Sequence, residues 1–231
     1  MPALRDLLEL LYNAHHRFQT IHIAWHYRYD VAAMLTVQER YAEREPGFSP
    51  LTSRSTVVES PLISETRHQL WWRKPDAWRL EWTMQERMTI QTRFRNDFWT
   101  RSSTEGQVVH HNNETVRHTF SDVEDLVQYV QLLSPAFLLA SHDLQIEGKS
   151  IHAGRQVIQV RAIYEKYKSF LHEDFFWASA DEYRLLVDAE TGILIRYAAI
   201  FEEKEFAVTS VDSATFDQPI PDAMFEAPTG S

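Results

Sequence analysis

Three runs of alternating apolar residues close the chain, spanning 183–188, 193–200 and 206–216 and parted only by the short stretches 188–192 and 202–204. Successive side chains of a strand point to opposite faces, so each run makes one apolar face. Connections this short cannot carry a parallel crossover, so the runs must pair antiparallel as a β-meander. Asp188-Ala-Glu-Thr-Gly192 supplies turn formers for the first connection, and a tail with two prolines, Phe216 to Phe225, follows the last run. The closing quarter of the chain is thereby committed to an antiparallel sheet whose apolar face something else must cover.

The N-terminus offers a cover. Leu4, Leu7, Leu8, Leu11, Ala14 and Phe18 recur at helical spacing, which predicts an amphipathic helix over residues 3–18. The period then changes to two: Ile21, Ile23, Trp25, Tyr27, Tyr29 and Val31 face one way, and His22, Ala24, His26, Arg28 and Asp30 the other. From Gln38 to Pro61 the pattern fades into charged residues, Ser, Thr and Pro, and reads as a long loop. Strands resume at His68–Arg73, turn at Lys74-Pro75-Asp76 and return through Trp78, Leu80, Trp82 and Met84. Further strands are predicted at 88–94, 98–101 and 108–111. Ser121-Asp-Val-Glu124 is a capping box opening a central helix that ends before Pro135. Two more strands follow at 144–148 and 156–164, then a second long and aromatic loop, 165–181.

Helix, strands, helix and strands in that order, without βαβ alternation, predict an α+β domain spanning 1–231 with a strongly curved antiparallel sheet of roughly ten strands over the two helices. The formal charge of −10 repels phosphates and anionic lipid heads, so nucleic acid is not an expected partner. With no cysteine, disulfides, thiolate zinc sites and cysteine nucleophiles are excluded. No apolar run approaches the ~20 residues of a membrane-spanning helix. Arg5, Asp6 and Glu9 follow Met1-Pro2 at once, where a secretory signal would be apolar, and the expected location is cytoplasmic. The oligomeric state is left open.

Three motifs carry a family resemblance: Trp-Arg-Lys-Pro-Asp-Ala-Trp-Arg-Leu-Glu (72–81), Leu-Leu-Val-Asp-Ala-Glu-Thr-Gly-Ile-Leu-Ile-Arg (185–196) and Phe-Asp-Gln-Pro-Ile-Pro-Asp-Ala-Met-Phe (216–225). Together they resemble the outer-membrane lipoprotein carrier (LolA-like) superfamily, in particular a branch without a signal in Gram-positive and related bacteria. The resemblance implies an unclosed half-barrel wrapped over helices, with an interior able to accept acyl chains or other apolar ligands. It transfers turn and packing signatures, hence a fold and no set of functional residues.

Seven Trp and an aromatic share of 13% exceed what a minimal core needs. Trp72, Trp78, Trp82, Phe94 and Trp99 fall on strands able to share a concave face, Phe176 and Trp177 lie in the loop that could close over it, and His26 or Arg28 could anchor a polar group. The eleven histidines lack metal-binding spacing: His22 and His26 share a face but stand ~13 Å apart along one strand. Glu65 and Glu81 could act as acid and base if a pocket joined them, though pairing with Arg67 or Arg79 is the plainer role. No metal or cofactor is expected. The leading expectation is a cytoplasmic protein that binds a hydrophobic small molecule or acyl chain. An enzyme of specialised metabolism using the same cavity, and a protein-interaction or sensor module, are the alternatives.

Overall fold

A computed structural model describes residues 3–44, 63–94, 97–102, 108–111, 131–165 and 180–226. Eleven strands form one antiparallel, unclosed sheet: β1 (Thr20–Asp30), β2 (Ile63–Arg73), β3 (Ala77–Met84), β4 (Arg87–Phe94), β5 (Asp97–Ser102), β6 (Val108–His111), β7 (His142–His152), β8 (Arg155–Tyr164), β9 (Glu182–Asp188), β10 (Leu194–Phe201) and β11 (Lys204–Phe216). Their spatial order is β6-β5-β4-β3-β2-β1-β11-β10-β9-β8-β7. Two meanders, β1 to β6 and β7 to β11, are thus joined where the first strand pairs with the last. The expected α+β half-barrel is observed, with eleven strands where roughly ten were expected.

Among the described residues the helices are α1 (Leu4–Tyr12), α2 (Val31–Arg44) and a single turn, α3 (Phe137–Ser141). Asp6 in the first turn of α1 accepts from the Ala3 backbone N–H at 3.2 Å, and Asn13 Nδ2 donates to Glu9 O at 3.0 Å and ends the helix. Leu7, Leu10 and Leu11 are buried in the core with Ile21, Ile23, Trp72, Val187 and Ile195. The helix is shorter than the 3–18 expected, and Ala14–His16 tightens into a 3-10 turn.

Two readings are corrected here. Val31 is not the last residue of the first strand but the first of α2. Residues 38–44, read as the start of a loop, continue that helix, which packs against β1 and β11 through Met34 and Val37. Charge on the exposed turns of α2 masks its narrow apolar stripe in the sequence. The capping box at Ser121 with its central helix, the remainder of the 38–61 loop beyond Arg44 and nearly all of 165–181 lie outside the described residues.

The turns decide which residues share a face. Lys74–Asp76, between β2 and β3, has three residues, and Arg73 pairs with Ala77, so odd numbers face odd numbers. Gln85-Glu86, between β3 and β4, has two, both with positive φ as a type I′ hairpin requires. Met84 therefore pairs with Arg87 and the parity of the inward residues flips. The same happens between β4 and β5, where Phe94 pairs with Asp97.

The tail straps the outer face. Asp217 Oδ1 accepts from the Gln19 N–H at 2.7 Å, and Arg73 Nη1 donates to Ile220 O at 2.9 Å and to Asp222 Oδ1 at 2.7 Å. Phe225, fully buried, makes a second small cluster with Ala77 and Ile220, against which Trp71 and Phe94 pack.

At the turn between β9 and β10, Gly192 has φ +82° and so fits a conformation that side chains rarely adopt. A Cβ built there would meet the Leu10 carbonyl oxygen of α1 at 2.4 Å. Gly192→Ala is expected to destabilise the fold by about 2–3 kcal/mol, since both turn and helix must shift. Urea unfolding followed by tryptophan fluorescence measures this, and a change under about 0.5 kcal/mol would contradict such close docking.

Candidate functional site

The inner face of β1 to β5 is organised in cross-strand rows. One runs Ile21, Trp72, Trp78, Arg93, Phe98 and the next Ile23, Leu70, Leu80, Gln91, Thr100. A third runs Trp25, His68, Trp82, Thr89. On β1 to β3 these rows are almost wholly apolar and mostly buried, with Phe18 edge-on to Trp72 at 5.7 Å and Trp78 tilted against Phe98 at 5.8 Å. At β4 their character changes, because its inward residues are Thr89, Gln91 and Arg93 while Met88, Ile90 and Phe94 face outward. By its own alternation β4 would turn the apolar set inward. Tertiary pairing reverses it.

Along these rows several buried polar atoms have no hydrogen-bond partner among the described residues: Nε1 of Trp72 and Trp78, Nδ1 of His68, Oε1 of Gln91 and a terminal guanidinium nitrogen, Nη1, of Arg93. Buried polar groups are ordinarily paired, and each one left unpaired costs about 1–3 kcal/mol. Such a cluster on one wall marks it as the candidate site.

The charges are sorted by face. Asp30, Glu65 and Glu81, the acidic residues of β1 to β4, all point outward. Arg67 Nε donates to Glu65 at 2.9 Å and Arg79 Nε to Glu81 at 2.6 Å, each pair two residues apart on one strand rather than across strands. Glu65 and Glu81 therefore do not serve as an acid–base pair on the inner wall. His68 is stacked on Trp25 at 4.9 Å, and burial lowers its pKa to about 4, which keeps the ring neutral at pH 7.

Of the residues expected to line the cavity, Trp72, Trp78 and Trp82 do face inward. Trp72 and Trp78 are buried and Trp82 is half-buried at the margin of the core. Phe94 and Trp99 are corrected to the outer face, because each two-residue hairpin flips the parity. Phe94 stacks on Phe225 of the tail at 5.9 Å. His26 and Arg28 are likewise corrected outward, since they alternate with the inward Trp25, Tyr27 and Tyr29. His26 Nδ1 lies 2.9 Å from Asp212 Oδ1, and Arg28 faces Glu65 across the strands. Phe176 and Trp177 lie outside the described residues. The sequence does not single out His68, Gln91 and Arg93; His68 shares the inward face of β2 with Leu70 and Trp72 by plain alternation, whereas Gln91 and Arg93 follow only from the two-residue turn between β3 and β4, which flips the parity.

His22 stacks on outward Trp71 at 4.7 Å, and no group of three or more metal-ligating side chains occurs among the described residues. A concavity of about 560 Å³ lies at the ends of β8 and β11, between Arg17, Arg155, Thr191, Phe216 and Asp217. Its charges are already engaged. Arg155 Nη2 donates to buried Asp188 at 3.2 Å and its guanidinium sits 5.0 Å from the centre of the Phe216 ring. Asp188 also accepts from the Thr191 N–H and hydroxyl at 2.8 Å, so this cleft reads as a braced turn.

No family model and no curated protein matches the chain. Solved structures similar to it include the MucA/MucB complex of Pseudomonas aeruginosa (13% identity, TM-score 0.47, covering 96% of this chain and 60% of that one). Two others are the Mycobacterium tuberculosis lipoprotein LppX (9%, 0.49, 95% and 99%) and the LolA superfamily protein NE2245 from Nitrosomonas europaea (9%, 0.34, 98% and 99%). The chain spans about three-fifths of the MucB-complex chain it matches.

A histidine held neutral by burial ties stability to pH. The unfolded ring binds a proton below about pH 6.5, while the folded ring does so only near 4. The unfolded state therefore binds more protons across this window, and stability falls as the pH drops through it. His68→Gln is expected to flatten the dependence between pH 6.5 and 4, removing on the order of 2–3 kcal/mol of acid sensitivity. Chemical unfolding at a series of pH values checks this, and an unchanged slope would place the sensitivity elsewhere.

Proposed function

We propose that this protein binds a hydrophobic small molecule or a single acyl chain against the inner wall of β2 to β4. One observation carries the reading: rows of buried apolar side chains end, on that wall, in polar atoms that the described residues leave without partners. A packed core has no use for such groups. A binding site needs them, because an apolar surface gives affinity and a few placed polar groups give orientation. Half-buried Trp82, opposite His68 and packed against the core cluster, gives the wall a margin that a ligand can reach. Holding rather than turnover is the preferred role, since Glu65 and Glu81 face away from the wall.

Native mass spectrometry of the protein from its own host should show a co-purifying small apolar molecule released by organic solvent. An empty protein in a stable complex with another chain would favour the interaction reading instead. Trp82→Ala is expected to weaken uptake of an environment-sensitive apolar dye about five- to tenfold while moving the unfolding midpoint little. Parallel loss of uptake and stability would make Trp82 a packing residue only.

A further inference from the structure

Arg93 stands out among the groups on this wall. Its row neighbours are Trp78 on β3 and Phe98 on β5, both buried aromatic residues. Every acidic residue of β1 to β4 is on the opposite face, and Glu65 and Glu81 are taken up by outward arginines. Arg93 itself makes no ion pair with any described residue, and its Nη1 is shut off from solvent without a hydrogen-bond partner. Arg93 is half-buried as a whole, and its guanidinium cannot shed its charge as a lysine can, so an anion is the fitting partner for the nitrogen held out of water.

The donors beside it have the same polarity. Trp72 and Trp78, at most 1% exposed, lie next in the row, and both indole N–H groups lack acceptors among the described residues. Indole nitrogen and guanidinium can only donate, so what satisfies this row must be an acceptor. A carbonyl would meet the indoles but leave the cation uncompensated. An oxyanion meets both requirements, and its two or more oxygens suit the planar fork of the guanidinium.

We infer that Arg93, with the indole N–H groups of Trp72 and Trp78, forms a site for the terminal oxyanion of a single-chain amphiphile whose hydrocarbon lies along the apolar rows. This inference rests on the binding reading above and names its ligand class: a fatty acid or a long-chain alkyl phosphate rather than a neutral lipid. The net charge of −10 is consistent with a ligand selected by a buried contact and not gathered by long-range attraction.

Competition with a bound apolar dye tests it, using palmitate, hexadecyl phosphate and hexadecanol as competitors of matched chain length. The intact protein should prefer at least one anionic competitor over hexadecanol by about tenfold or more, the size expected of a charge-assisted bond in a desolvated site. Which anion wins identifies the head as carboxylate or phosphate. Arg93→Gln should abolish the preference and leave hexadecanol unchanged, while Arg93→Lys should retain part of it. Without ligand, Arg93→Gln should leave the melting temperature unchanged or slightly raised, since it removes a half-buried guanidinium whose Nη1 has no partner among the described residues. Equal binding of all three competitors by the intact protein would overturn the oxyanion site and leave the cavity standing, as would a variant that loses hexadecanol and anions alike. If none of the three displaces the dye, the cavity reading falls and the oxyanion site with it.

Discussion

The pairing of β1 with β11 is the contact on which the rest of the molecule depends. It joins strands that lie at opposite ends of the chain, with Ile21 opposite Phe216 and Tyr29 opposite Ala207, and it turns two meanders into one sheet. The extra residue of the pair, Asp212, sits where the register slips between Ala24 and Trp25, and its carboxylate reaches His26. A bulge at such a place bends the strand and strengthens its twist, which a wide sheet needs if it is to wrap. Strands on both sides then present their inward residues to one cluster that includes Leu11, Trp72, Leu185 and Ile195.

Both ends of the chain brace this seam. On the inside, α1 lays Leu7, Leu10 and Leu11 into the core and comes so near the turn after β9 that only glycine fits there. On the outside, the tail runs from β11 across the ends of β2 and β3, tied by Arg73 to Ile220 and Asp222 and by Arg79 to the Met224 carbonyl at 3.2 Å. Phe225 closes the strap beside Phe94. The prolines at 219 and 221 suit a segment that lies on a sheet without joining its ladder.

With the seam fixed, the sheet separates its chemistry by face. The outer surface of β2 and β3 carries its acids and bases as close pairs, Arg67 with Glu65 in solvent, where such a pair contributes little to stability, and Arg79 with Glu81 half-buried. On the inner surface aromatic and aliphatic rows lead into the polar residues of β4. Local pattern and global placement disagree on that strand, and such disagreements are where natural proteins most often keep a function. A neutral His68, an unpaired Arg93 and two indole donors are costly to fold, and a ligand supplying acceptors offsets that cost.

Most of the architecture is legible in the amino-acid order, because alternation and turn residues are local. The meander from Tyr183 to Phe216 and the strands from His68 to His111 lie where those patterns place them, whereas the stripe of α1 is turned: Leu10 is buried with Leu7 and Leu11, and Leu4 and Leu8 are exposed. The helix after Asp30 was hidden, since its apolar stripe is narrow and its exposed turns are charged. The wall of the site was only half legible. Trp72, Trp78 and Trp82 follow from their own strands, but alternation alone puts Phe94 and Trp99 on the wrong face and does not single out His68, Gln91 or Arg93. Sequence alone settles which residues alternate. Which half of each alternation faces inward depends on the residue count of every hairpin turn and on the pairing of two strands nearly two hundred residues apart. Only the folded sheet determines that parity, because a change of one residue in a turn moves every side chain of the next strand to the other face.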